Sequence, residues 1–164
     1  MTEQIWHEFR DVGVDFLQTA PVRYVMTADI AQPPEKVFDA FADSAGWVHW
    51  FPMVQKAQYD GPRPWGIDSI RRSWVDGVEH EERMLLWERP RIWGYNVLRA
   101  TTALSAAQVE VTEFAAIPGG TRVIWTIATE PLSGFTHFSG EQNLQSFLDD
   151  LLRRALNNLN RVLG

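Results

Sequence analysis

Ile70-Arg71-Arg72-Ser73-Trp74-Val75-Asp76-Gly77-Val78-Glu79-His80-Glu81-Glu82-Arg83-Met84-Leu85-Leu86-Trp87 is two runs of strand-forming residues joined by Asp-Gly. That dipeptide readily supplies the two positive-φ residues of a type I′ hairpin turn. With Asp76-Gly77 as the loop, Val75 opposes Val78, so Ser73 meets His80 and Arg71 meets Glu82 on one face. On the other face Trp74 meets Glu79, Arg72 meets Glu81 and Ile70 meets Arg83, the pattern of a solvated surface with cross-strand ion pairs. By elimination the first face, continuing through Met84 and Leu86, turns toward the interior. Arg71, Ser73, His80 and Glu82 are costly to bury there unless they pair with one another or with a ligand. A one-residue slip in register would exchange the faces and make Arg71 and Glu82 an ordinary surface pair. For His80 a structural or exposed role stands beside a proton-transfer role.

Working outward, the same punctuation repeats. Strands are predicted over 54–59, 68–75, 78–87, 92–98, 107–116 and 121–129, separated by Gly61-Pro62-Arg63-Pro64, Asp76-Gly77, Arg89-Pro90 and Pro118-Gly119-Gly120. None of these links is long enough for a helical crossover, so the sheet is an antiparallel meander. On the next strand only one of Trp93 and Tyr95 is expected to point inward, and Tyr95 is taken as the cavity hydroxyl.

After the meander, Leu144, Phe147, Leu148, Leu151, Leu152, Ala155, Leu156, Leu159 and Val162 recur at helical spacing. Ser139 with Gln142 reads as a capping box, giving a helix of about 24 residues and about 36 Å. With no partner helix of that length, its apolar stripe must lie on the sheet.

Before the meander, residues 22–30 read as a strand, and Pro34 opens a helix that places Val37, Phe38 and Phe41 on one face. A second short helix over 44–50 follows Asp43, a candidate N-cap, and stops at Pro52. Trp47, Trp50 and Phe51 sit at its end, either as wedge packing or as a ligand gate. Residues 1–20 read as an N-terminal extension with one short helix, and residues 21–164 as a single domain.

Composition narrows the function. The chain has 164 residues, 45% hydrophobic and 22% charged, enough for one core and too interrupted for a stable membrane insertion. Net charge is −6 and basic runs stop at Arg71-Arg72 and Arg153-Arg154, which argues against nucleic acid as a partner. There is no Cys, so thiol and disulfide chemistry are excluded. The N-terminus shows no secretory pattern, and a cytoplasmic location is the expectation. Glycine-rich phosphate loops, the nucleophile elbow and zinc-binding H-E-x-x-H are missing, and the four His residues have no ligand spacing, so neither cofactor nor metal is expected. The unusual entry is 8 Trp, 9 Phe and 3 Tyr, which either fill a core or line a cavity.

Several segments carry a family resemblance. Gln32-Pro33-Pro34-Glu35-Lys36-Val37-Phe38 is similar to an A-P-P-E-x-V-F helix start, and Trp47-Val48-His49-Trp50-Phe51-Pro52 to a Trp-x-x-Trp-x-Pro element. Gly61-Pro62 through Gly66 to Arg71 resembles a glycine-punctuated approach to an arginine-bearing strand, with Asp68 where a second glycine often stands. Glu82-Arg83-Met84-Leu85-Leu86-Trp87-Glu88 and Gly119-Gly120-Thr121-Arg122-Val123-Ile124-Trp125 continue the series. In this order they resemble the START/Bet v 1-like (SRPBCC) superfamily, in its polyketide cyclase/dehydrase and lipid-transport branch. The resemblance implies an α+β helix-grip fold, β-α-α-β6-α, with a curved antiparallel sheet wrapped around the C-terminal helix and a cavity between them.

Fold alone assigns no reaction. One reading is a binding or carrier domain, monomeric or homodimeric, for a small hydrophobic or amphipathic molecule such as a lipid, sterol-like or polyketide compound. Its walls would be drawn from Trp47, Trp50, Phe51, Ser73, Met84, Leu86, Tyr95, Trp125, Leu144, Phe147, Leu148 and Leu151. A second is an aromatase/cyclase-type enzyme with Arg71 as electrophilic stabiliser and His80 or Glu82 as acid or base. A third is a regulatory or stress-related interaction domain whose cavity is vestigial.

Overall fold

The Asp76-Gly77 turn sets the register that its chemistry demands. In the structure, a computed structural model describing residues 2–164, both residues have positive φ, and Val75, Ser73 and Arg71 face Val78, His80 and Glu82 across the hairpin. The elements in chain order are β1 (His7–Glu8), α1 (Phe16–Thr19), β2 (Val22–Ile30), α2 (Pro34–Ala42), a 3-10 helix (Ser44–His49), β3 (Val54–Tyr59), β4 (Ile70–Val75), β5 (Val78–Glu88), β6 (Ile92–Ala100), β7 (Ser105–Ile117), β8 (Gly120–Pro131), a 3-10 turn (Ser133–Phe135), α3 (Thr136–Ser139) and α4 (Leu144–Leu163). The antiparallel sheet runs β2-β8-β7-β6-β5-β4-β3 and curves around α4, which makes this an α+β helix-grip fold. Strand β4 begins at Ile70 rather than at Asp68, because Asp68 adopts φ 70° and bends the chain as a glycine would.

Helix α4 buries Phe147, Leu148, Leu151, Leu152, Ala155, Leu156 and Leu159 against the inner face. Each fully buried Leu or Phe contributes about 1.5–3 kcal/mol, so this stripe is a major source of stability. The helix is shorter than the capping box at Ser139 predicts. Its 20 residues start at Leu144, where the Asn143 side chain accepts from the Ser146 N–H at 2.9 Å. Ser139 instead ends α3, its hydroxyl donating back to the Phe135 carbonyl, and Gly140 at φ 60° breaks the chain between the two helices.

Helix α2 starts at Pro34 and buries Val37, Phe38 and Phe41. The following turn is a 3-10 helix ending at His49, and Asp43 flanks it without a capping bond from its side chain. Together they bring Phe41, Trp47 and Trp50 under the sheet, where Phe41 lies within 5.1–6.2 Å, ring centre to ring centre, of Trp47, Trp50, Trp93, Phe114 and Trp125. The Trp50 carbonyl accepts from Asn158 on α4, tying this aromatic layer to the gripped helix.

The N-terminal segment packs on the sheet in two ways. His7 and Glu8 pair with Ala100 and Arg99 of β6. Farther on, Phe16 of α1 covers Ala107, Val109, Val111 and Ala128 on the outer face, forming a second, smaller core.

Two sequence expectations fail on strand geometry. A register shift between Met84 and Leu86 inserts an extra residue in β5 opposite β6, so Leu86 leaves the inner face and packs with the outer core while Trp87 turns inward. Trp93 and Tyr95 both point inward, their ring centres 5.3 Å apart. Residues two apart on a regular strand share a face, and the alternation expected between them does not apply.

Candidate ligand-binding site

The inner face carries a polar patch across β4, β5, β6 and β7 beneath α4. Strand β4 delivers Arg71 and Ser73, β5 delivers His80 and Glu82, β6 delivers Tyr95 and Val97, and β7 delivers Gln108 and Glu110. Trp47, Phe51, Phe147, Leu148 and Leu151 close the space from the helices, Phe135 and Phe138 from the segment before α4, and Phe9 from the N-terminal segment. The cavity is partly open and about 90 Å³ in volume, smaller than the ~300–1,000 Å³ of common ligand pockets.

Of the residues singled out in the sequence, Arg71, Glu82, His80, Trp47, Phe51, Ser73, Tyr95, Phe147, Leu148 and Leu151 line this cavity. Trp50, Met84 and Trp125 are buried in the main core outside the lining, and Leu144 is half-buried at the start of α4, also outside it. Leu86 lies on the other side of the sheet.

Arg71 is 1% exposed. Its Nε donates to Glu82 Oε1 at 2.7 Å, and the Ser73 hydroxyl approaches Glu82 Oε2 at 3.5 Å. The guanidinium carbon lies 4.6 Å from the Trp47 ring centre, 5.0 Å from Trp93 and 4.6 Å from Tyr95, so three aromatic faces replace the water lost on burial. Burial works against the charge, but Glu82 and then Tyr95 outweigh it and hold the arginine's pKa above its ordinary value. The ion pair uses one guanidinium nitrogen, and Arg71 Nη1 has no partner. A buried donor left unmade costs about 1–3 kcal/mol, more for a charged group.

His80 Nδ1 is likewise buried without a partner, and burial pushes its imidazole below the ordinary histidine value despite the opposing pull of Glu82. The ring is therefore neutral at pH 7. Tyr95 is held protonated by burial and then by Glu110.

Glu110 is the site residue that sequence reasoning missed. Its carboxyl accepts from Trp125 Nε1 at 3.1 Å and Gln108 Nε2 at 2.9 Å. Facing the cavity leaves it part of its surface, yet it sits deep under the sheet, and burial first, then repulsion from Glu82, raise its pKa. The segment Ala107-Gln108-Val109-Glu110-Val111 suggests apolar residues inside and polar outside. The opposite holds, because Phe16 covers Ala107, Val109 and Val111 on the outer face. Phe114, four residues after Glu110 and buried in the main core, carries the parity signal.

The raised pKa of Glu110 makes a stability prediction with a definite sign. The folded state binds its proton more tightly than the unfolded chain, so this contribution is fully present below the ordinary value of 4.5 and is lost as pH rises through the raised value. Glu110→Gln removes that loss. Urea unfolding across pH 4–8 (about half-unit steps) is expected to show the variant matching wild type at the acid end and increasingly more stable above it. A pH-independent difference would assign the titration to another group.

Among the described residues no cluster of three His, Asp or Glu side chains converges to hold a metal ion, and no helix is long and apolar enough to cross a membrane.

Comparison with known proteins agrees with this architecture. A sequence model of the family described as polyketide cyclase / dehydrase and lipid transport matches residues 21–164. An uncharacterized protein of Mycobacterium tuberculosis is 31% identical over 151 residues, covering 92% of this chain and 89% of its own length. A START superfamily protein from Mycobacterium smegmatis superposes with a TM-score of 0.68 at 13% identity, covering 86% of this chain and 96% of that one. The ginseng major latex-like protein 151 from Panax ginseng superposes with a TM-score of 0.66 at 11% identity over 86% and 96%. At these identities the two structures share the fold.

Proposed function

We propose, from the premise that the chain belongs to the polyketide cyclase/dehydrase and lipid transport family, that this START-like ligand-binding domain takes a compact molecule with an apolar or aromatic body and an oxygen-bearing polar end. One observation carries the reading. Arg71 is charged, buried and on the cavity wall, and its Nη1 is unpartnered. A carbonyl, hydroxyl or carboxylate oxygen would satisfy it, while Trp47, Phe51 and the α4 side chains bury the remainder. The size of the cavity supports a compact ligand over a sterol-sized one.

Native mass spectrometry of gently purified protein is expected to reveal a fraction heavier by one small molecule, released on denaturation. Protein that emerges only as bare chain, and that leaves the fluorescence of 1-anilinonaphthalene-8-sulfonate unchanged, would instead favour a filled interior and a domain acting through its surface.

A second reading rests on the protonation pattern. Glu110, a carboxyl whose pKa is raised by burial and by Glu82, and His80, a neutral imidazole, line the same cavity. Environments that drive pKa values apart suit acid and base roles. In an aldol closure His80 would take the proton α to one carbonyl as the new carbon–carbon bond forms, and Glu110 would protonate the oxygen of the carbonyl attacked, with Arg71 stabilising its developing charge. Turnover of a poly-β-ketone mimic that disappears in Glu110→Gln and His80→Ala, with binding retained, supports the enzyme; binding without turnover in wild type leaves the carrier.

A further inference from the structure

We propose that Phe9, carried by an N-terminal strap outside the family-matched region, is the end wall of the cavity and sets the length of ligand it admits. This rests on the ligand-binding reading above. The family match covers residues 21–164, so the strap lies before the part of the chain that the family model describes.

The strap fills a gap in the sheet. Strands β6 and β7 pair from Ile92↔Glu113 to Asn96↔Val109 and then separate. In the opening, His7 and Glu8 take up the edge of β6, the Phe9 N–H donates to the Leu98 carbonyl at 2.9 Å, and the Arg10 N–H donates to the Ala106 carbonyl at 2.7 Å. The strap thus bridges both strands where their own ladder has ended. Phe9 is 6% exposed, belongs to the main core and lines the cavity.

Its position is fixed from the C-terminal side as well. Buried Asn96 donates to Asp11 Oδ1 at 2.8 Å and to the Val12 carbonyl at 2.9 Å. Arg83 reaches Asp11 at 2.6 Å, and Arg10 reaches Glu130 at 3.0 Å. A side chain held by a main-chain ladder on one side and a buried amide on the other is a defined stop. The cavity lining also includes Val97, Leu104 and Ile127, which with Phe9 give an apolar wall suited to hydrocarbon.

The test uses the full chain with butanoate, hexanoate and octanoate as competitors for bound 1-anilinonaphthalene-8-sulfonate. Phe9→Ala is expected to tighten octanoate at least tenfold relative to butanoate, and Phe9→Trp to shift preference the other way, with Phe9→Leu close to wild type. Opposite shifts in preference cannot come from a merely structural role, which would weaken all three acids together. Such uniform weakening, or no change in preference with wild type still binding, overturns the end-wall assignment and leaves the ligand-binding reading standing. Failure of wild type and every variant to bind the dye or any of the acids overturns both.

Discussion

Arg71→Ala is expected to destabilise the protein by about 3–5 kcal/mol and to abolish ligand binding, because it strips a buried carboxylate of its partner. Glu82 would keep only the marginal approach of Ser73 at 3.5 Å. The informative companion is the double variant Arg71→Met/Glu82→Leu. Apolar side chains of similar volume can stack among Trp47, Trp93 and Tyr95, and removing both charges eliminates their desolvation cost. Replacements of this kind are commonly neutral or stabilising by about 1–4 kcal/mol. Urea unfolding should therefore place the double variant near or above wild type, while isothermal titration with the co-purified compound shows no binding. That combination would mean the ion pair is maintained for recognition at no benefit to folding. If the double variant binds as wild type does, the polar end of the ligand is held elsewhere and Arg71 is a structural charge.

The hairpin that carries this pair was legible because several local rules agree. Asp76-Gly77 admits one tight turn, the turn fixes register, and register determines that Arg71 faces Glu82. The α4 stripe was legible for the same reason, since its period and length allow one placement. The limits are equally local. The extra residue that turns Leu86 outward lies between two hydrophobic neighbours, Met84 and Leu86, with no glycine or proline to mark it. The start of α4 was misplaced because Ser139 and Gln142 have capping-box spacing while Gly140, in the left-handed region, breaks the chain between them. Glu110 was hidden because α1, far away in sequence, makes the outer face of β7 apolar and inverts the usual reading of its alternation. The parity of Phe114 is the one local sign of that inversion, and only tertiary contacts reveal the strap that places Phe9 in the cavity wall.

The aromatic abundance resolves into a filled layer beside a small cavity, and Phe41 is the residue on which that layer depends. It is fully buried, and five rings approach it within 5.1–6.2 Å, mostly edge to face. Edge-to-face pairs contribute about 0.5–1.5 kcal/mol each beyond area burial, although contributions within one cluster do not add. Phe41→Ala is therefore expected to cost about 3–5 kcal/mol in urea unfolding, the range for deleting a buried aromatic ring. The consequence for function is geometric. Trp47 separates Phe41 from Arg71, with its ring centre 5.9 Å from the first and 4.6 Å from the guanidinium carbon of the second. Its indole N–H is held by the Phe41 carbonyl, which the substitution leaves in place. A void behind the ring would let it tilt away from Arg71, enlarging the cavity. The variant should consequently bind 1-anilinonaphthalene-8-sulfonate more tightly than wild type while losing near-ultraviolet circular dichroism from the tryptophans. A loss below about 1.5 kcal/mol with dye binding unchanged would show that the surrounding rings collapse into the space, as happens where a core can relax around a deletion. The cavity wall would then be plastic, and ligand size would be governed by repacking of the aromatic layer.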